Sequence, residues 1–202
     1  MNLQAEFGNI DIYLFDQLLK GRISPPASLL DAGCGDGRNL IYFLRNHFEV
    51  FAVDSNPASI EHVRMLASRL APELSRHNFL TADLVEIPFP SSRFDLVISS
   101  AVLHFAIDEQ HFKKMVNEMW RVLKPGGLLF ARLASSIGIE HLIKQIRERH
   151  FLLPDGTERF LVDENLLATE ALRLGAHRLE PLKTTNVENL RCMTTWVLGK
   201  SV

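Results

Sequence analysis

Between Leu29 and Asn39 the chain reads Leu-Leu-Asp-Ala-Gly-Cys-Gly-Asp-Gly-Arg-Asn, an apolar run and an acid followed by three glycines at alternate positions before a helical stretch. No other segment narrows the available folds as much. Gly33, Gly35 and Gly37 remove three Cβ atoms from a turn between a strand and a helix, so φ > 0 becomes accessible and the backbone can approach a ligand closely. Such a turn is a nucleotide-type cradle. The dinucleotide version, G-x-G-x-x-G, ends in a glycine that packs helix on strand below a pyrophosphate, and Arg38 stands in that place here. Asp31, two residues before the first glycine, would oppose a pyrophosphate but suits an ammonium group.

From Leu29 to about Phe130, apolar patches and turn signals alternate as strand, helix, strand, helix, which predicts a doubly wound α/β fold. Strands are expected over 28–31, 48–53, 78–82, 94–99 and 128–133. Residues 12–19 read as a short helix closed off by Pro25-Pro26. Asn56-Pro57 supplies a cap and a first-turn proline for a helix whose apolar face is Ile60, Val63, Ala67 and Leu70. A further helix over 108–123 would bury Phe112, Met115, Val116, Met119 and Leu123 as core, not as a cofactor box. In the last third, residues 151–160 carry an Asp-Gly turn between apolar arms, a hairpin signal that would form a flap. Asp163 caps a helix that stops at Gly175, and 177–182 and 190–198 read as two closing strands. The chain contains no repeat, low-complexity tract or linker. One domain over 1–202 is therefore expected, with a cofactor-binding core at about 28–133 and the flap and closing strands at about 134–202.

A second acid falls at a telling distance from the glycine turn. Asp54 ends the apolar run 48–53, where doubly wound folds place a carboxylate on ribose hydroxyls. Two later segments join it: Phe79-Leu-Thr-Ala-Asp83, a strand ending in an acid, and Leu123-Lys-Pro-Gly-Gly-Leu-Leu-Phe130, whose Pro-Gly-Gly turn opens another strand. These four motifs, in this order, resemble those of the class I S-adenosylmethionine-dependent methyltransferases, strongly over about 25–133 and loosely to Val202. The resemblance implies a mostly parallel, seven-stranded sheet with helices on both faces and an antiparallel last strand. It also implies S-adenosylmethionine as the cofactor. The short length, the Gly-Arg-Asn end of the loop and the final Arg-Cys-Met-Thr-Thr-Trp-Val-Leu strand are similar to small methyltransferases of the tellurite-resistance type.

On that resemblance, the Gly33 and Gly35 backbone meets the amino-acid end of the cofactor and Asp31 receives its ammonium, directly or through water; the alternative for Asp31 is a loop-structuring role. Arg38, at a helix start that already favours an anion, would pair with the cofactor carboxylate or remain a solvated surface charge. Asp54, next to Ser55, would accept from both ribose hydroxyls. Asp83 would accept from the adenine amine, with Leu84 giving an amide and apolar cover, or else would only cap a turn. Ser99, Ser100 and Leu103 follow the fourth strand at the carboxyl edge of the sheet, where open α/β folds bind ligands. A carbonyl near Ser99 would meet the cofactor amino group.

Displacement at a sulfonium methyl works mainly by alignment, so no base is obligatory. If the acceptor must lose a proton, His104 is the placed candidate, since histidine titrates near neutrality; its rival role is packing. Arg132, Arg159 and Arg191 would converge over the same edge and hold a small anionic acceptor, or else be surface charge. The eight histidines lack metal-ligand spacing and imply no metal site.

Composition fits this reading. With 202 residues and 47% hydrophobic content the chain can bury one substantial core. A net charge of −2 gives no electrostatic case for nucleic acid, which favours a small-molecule acceptor. Cys34 and Cys192 lie far apart, arguing against a disulfide framework and for a reducing compartment. The amino terminus lacks a basic stretch before an apolar core, and no segment reaches the roughly 20 apolar residues of a membrane span. A cytoplasmic location is expected. Two rival functions remain: a non-catalytic protein that binds S-adenosylmethionine as a regulator, and an NAD(P)-dependent oxidoreductase, which Asp31 and the missing last glycine disfavour. Oligomeric state is not readable.

Overall fold

The computed structural model describes residues 2–202. Two short helices, α1 (Leu3–Phe7) and α2 (Ile12–Leu19), precede β1 (Ser28–Ala32), α3 (Ile41–Arg45), β2 (Glu49–Asp54), α4 (Pro57–Leu70), β3 (Phe79–Thr81) and β4 (Phe94–Ser100). Then come α5 (Glu109–Val122), β5 (Leu123–Ser135), β6 (Lys144–Arg147), β7 (His150–Leu152), β8 (Glu158–Phe160), α6 (Glu164–Arg173), β9 (Ala176–Arg178), β10 (Lys183–Val187) and β11 (Arg191–Lys200). Seven strands lie side by side in the order β10-β11-β5-β4-β1-β2-β3, with β9 pairing to the far end of β11. The run from β5 to β3 is parallel, whereas β11 is antiparallel to β5. The α/β sheet implied by the sequence is therefore present.

Every residue of β1 is buried, as expected for a central parallel strand covered on both faces. Its alternation divides the core. Leu30 packs with Val97, Leu129 and Phe112 on the α5 and α6 side, while Leu29 packs with Leu96, Phe130 and Phe43 on the α2, α3 and α4 side. Phe43 and Phe112 are fully buried, each stabilising the fold by about 1.5–3 kcal/mol. Helix starts follow the capping signals: Asn56 Oδ1 accepts from Ala58 N at 3.0 Å, Asp108 Oδ1 from His111 N at 2.6 Å and Asp163 Oδ1 from Leu166 N at 2.7 Å. At the Pro-Gly-Gly turn, a Cβ on Gly127 would lie 2.9 Å from the Lys124 carbonyl oxygen, so no side chain fits.

Three local departures have physical causes. The helix after the glycine turn is confined to Ile41–Arg45, because residues 38–40 form a turn. The strand expected over 177–182 is broken into β9 and β10 at Glu180-Pro181, where Pro181 cannot donate to a ladder and the Glu180 carboxylate is taken by Lys20, Arg22 and Lys183. Around Asp155-Gly156, β7 and β8 pair as a hairpin, and β6 adds a third strand. All four residues of β6 are exposed, so no alternation of apolar residues announced it. This small sheet is fastened to the start of α5: His150 Nε2 pairs with the Ile107 carbonyl oxygen at 3.0 Å, and Arg149 bridges Glu109 at 3.0 Å and Asp163 at 2.9 Å. Among the described residues, no helix is long and apolar enough to cross a membrane.

Candidate functional site

The glycine turn sits on the carboxyl end of β2. Gly33 N and Cys34 N both donate to the Val53 carbonyl, at 2.8 and 3.1 Å. This crossing demands φ of +82° at Gly33, where a Cβ would also meet Val102 Cγ2 at 2.6 Å. Gly35, at φ +51°, faces open space instead. Its N–H donates to Asp54 Oδ2 at 2.8 Å, and Asp54 Oδ1 takes Asn56 N at 2.9 Å. Asp54 thus ties the turn to the start of α4 and keeps lone pairs on both oxygens.

Above the turn lies a cavity of about 950 Å³, the size range of cofactor sites. Of the residues singled out in the sequence, Gly33, Gly35, Gly37, Arg38, Asp54, Ser55, Asp83, Leu84 and Ser100 line it. Asp83 is exposed and turns one oxygen to Val85 N at 3.0 Å. Asp31, Ser99 and Leu103 are buried beside the cavity without lining it. Asp31 is 1% exposed and its Oδ2 has no hydrogen-bond partner among the described residues. Burial pushes its carboxyl up to about 7, the Arg38 charge acting against that rise and the Asp54 charge adding to it. A buried carboxyl oxygen left without a donor is costly, and an ammonium group would relieve it.

Arg38 is already engaged. It donates to the Asn9 carbonyl at 3.2 Å and to Ser100 Oγ at 2.8 Å, and it lies 3.6 Å from Asp11 Oδ2. The expected convergence of three arginines is not seen. Arg132 Nη1 binds Asp11 Oδ2 at 2.9 Å with its guanidinium 5.3 Å from the Tyr13 ring, because residue 132 shares the face of β5 that carries Phe130 and packs on α2. Arg159 lies over the Phe105 ring at 5.1 Å, and Phe105 lines the cavity. Arg191 sits 3.5 Å from Asp155.

His104 is 8% exposed, and its Nδ1 accepts from Ala134 N at 3.3 Å. Burial, reinforced by the Arg159 and Arg191 charges, holds its imidazole down to about 4. That shift favours the neutral ring at physiological pH. Arg159 and Arg191 act on one imidazole, while Arg132 belongs to a separate cluster with Asp11, Arg38 and Ser100.

Sequence reasoning overlooked Asp11, whose carboxylate is fully buried between two arginines. Nothing local distinguishes it from a helix cap, which it also is. Gln4, Gly8 and Asn9 close the cavity from the amino-terminal side. His62, Leu66 and Arg69 line it from α4; their i, i+4, i+7 spacing is a helical stripe beside the apolar one and was open to recognition. His111 and Met115 line it from α5, so Met115 serves core and cavity together.

Comparison with known proteins agrees with this geometry. A methyltransferase domain family matches residues 30–131. The chain is 34% identical over 128 residues to the uncharacterized methyltransferase YodH of Bacillus subtilis (strain 168), covering 63% of this chain and 49% of that protein. It is 31% identical over 159 residues to a malonyl-[acyl-carrier protein] O-methyltransferase of Pseudescherichia vulneris, covering 78% and 58%. The chain thus spans about half the length of the curated relatives it matches. Among solved structures, it superposes with a TM-score of 0.71 and 19% identity on the Burkholderia thailandensis 1,6-didemethyltoxoflavin-N1-methyltransferase, determined with bound 1,6-didemethyltoxoflavin and S-adenosylhomocysteine, over 100% of this chain and 82% of that one. At that identity the likeness is one of fold.

Proposed function

The chain belongs to the class I S-adenosylmethionine-dependent methyltransferases, and on that premise we propose that it transfers a methyl group from S-adenosylmethionine to a small anionic acceptor. The observation that carries the cofactor assignment is the pairing of an open glycine turn with two acids of different character. Asp54 is half-exposed at the cavity wall with lone pairs free for ribose hydroxyls, whereas Asp31 is buried with an oxygen that lacks a donor. A diol and an ammonium group complement these two acids. A dinucleotide pyrophosphate would instead bring negative charge towards Asp31 and Asp54 together.

When bound, the cofactor supplies a sulfonium-activated methyl group. The residues of this chain have the tasks of binding and alignment. Gly33 and Gly35 give backbone access, Asp54 and the neighbouring Ser55 receive the ribose, and Asp83 with Leu84 frames the adenine. Arg38 keeps the amino-terminal segment over the cavity through Asn9 and Asp11, and a cofactor carboxylate would compete for the same guanidinium.

For the acceptor, the supporting observation is Arg159: it forms no ion pair among the described residues and lies against Phe105 at the cavity wall. A malonyl substrate and an oxygen acceptor, named for several relatives, are in keeping with an anionic partner. Calorimetric titration with S-adenosylhomocysteine and with NADH, followed by a methyl-transfer screen of anionic, neutral and cationic metabolites, tests the reading. Heat with the sulfur cofactor alone and transfer to anions support it; heat with the dinucleotide alone, or transfer confined to neutral and cationic compounds, overturns it.

A further inference from the structure

We propose that His104 serves the acceptor as a hydrogen-bond donor through Nε2–H, beside the Arg159 guanidinium, and that the group it receives is a carboxylate. This rests on the methyltransferase reading above and names the acceptor class for the same site.

The argument begins with a backbone amide. Ala134 N–H points at His104 Nδ1 from 3.3 Å, and a ring nitrogen that accepts carries no proton. The proton of the neutral imidazole is then on Nε2, which makes no hydrogen bond among the described residues. The alternative tautomer would set an Nδ1–H against the Ala134 N–H, donor facing donor. Taking a further proton would create a buried cation under the charges of Arg159 and Arg191, and burial, with those charges, already holds the imidazole down to about 4. The ring is therefore unsuited to be a base.

Its surroundings are rich in donors. The His104 and Phe105 rings are 4.6 Å apart, and the Arg159 guanidinium covers Phe105 at 5.1 Å, its only hydrogen bond among the described residues being to the Glu158 carbonyl. Of the carboxylates on the same hairpin, Asp155 is claimed by Arg191 at 3.5 Å and by Thr157. The imidazole N–H and the guanidinium, each against the Phe105 ring that lines the cavity, offer donors and no acceptor, which matches the two oxygens of a carboxylate. A carboxylate also removes the need for a base. One oxygen forms the new bond to the methyl carbon with its own lone pair while the carbon–sulfur bond breaks and its electrons remain on sulfur. No proton moves, and the product is a methyl ester.

Long-range proton–nitrogen correlation spectra of the histidine-labelled protein, saturated with S-adenosylhomocysteine, test this directly with malonate as the probe. The expected result is an Nε2–H imidazole that does not titrate between about pH 5.5 and pH 8 and whose Nε2 resonance moves on adding malonate. Calorimetry of the same complex should show malonate affinity falling about tenfold in Arg159→Gln and in His104→Leu, and by less in His104→Gln, which retains an N–H donor. An Nδ1–H tautomer, a titration near the ordinary histidine value, or an Nε2 resonance indifferent to malonate overturns the inference. Because S-adenosylhomocysteine binding is established first in this experiment, these failures are distinct from failure of the methyltransferase reading.

Discussion

Replacing Asp31 by asparagine keeps the shape of the side chain and removes the charge, so it isolates what a buried acid does for folding and for binding. The ordinary aspartate value is 3.8, and in the folded protein burial carries Asp31 up to about 7. Between those two values the folded state holds a proton that the unfolded state has released. Stability therefore falls as pH rises through that window and levels off above about 7, the reverse of the usual carboxylate pattern. The interval is roughly 3 pH units, and at 1.36 kcal/mol per unit the loss is at most about 4 kcal/mol. Ammonium binding favours the ionised form, so cofactor affinity should rise by up to about tenfold per pH unit on approaching pH 7 and then become flat. Urea denaturation and calorimetry with S-adenosylhomocysteine, each at about pH 5, 6, 7 and 8, measure both effects. Asp31→Asn should flatten the stability slope and the affinity slope, and should bind the cofactor more weakly at the alkaline end. Identical slopes in the two proteins would refute the assignment of Asp31 as the titrating group and with it the ammonium contact.

Asp54→Ala should lower S-adenosylhomocysteine affinity at least about tenfold and, because Gly35 N–H and Asn56 N–H lose their acceptor, should also cost about 1–3 kcal/mol of stability; calorimetry and thermal unfolding separate the two, and unchanged affinity would displace the ribose. Gly33→Ala should destabilise by about 1–3 kcal/mol through φ +82° and the 2.6 Å approach to Val102 Cγ2. Adding Val102→Ala should return only the steric part, measured in a double-mutant denaturation cycle. Asp11→Asn should cost about 2 kcal/mol of stability, between a surface and a buried ion pair because Arg132 is 20% exposed. Arg132→Gln should affect folding more than acceptor KM, the opposite of what Arg159→Gln should do.

The contrast between Arg132 and Arg159 shows which parts of this molecule a sequence can reveal. The central strands were legible because a strand buried on both faces needs apolar residues at consecutive positions, as at Leu29-Leu30 and Leu96-Val97-Ile98. The cofactor side was legible for a related reason: the glycine turn and Asp54 lie close along the chain, and their geometry is forced by backbone sterics that the residue types disclose. The acceptor side follows another logic. Strand parity alone places Arg132 with Phe130 on one face of β5 and Ala131 and Leu133 on the other, so a period-two reading could have separated it from a set assumed to converge. Parity could not have found its partner, since Asp11 arrives from a helix 121 positions earlier in the chain. His104 is the same case at shorter range. Its imidazole is a common candidate for a base until Ala134 N–H, 30 positions later, takes Nδ1 and two arginines from the last third bring charge against protonation. Residue type specifies what a side chain can do in water. In a buried site, the donors and charges that long-range folding sets around it decide which of those things it does, and here they turn a candidate base into a donor.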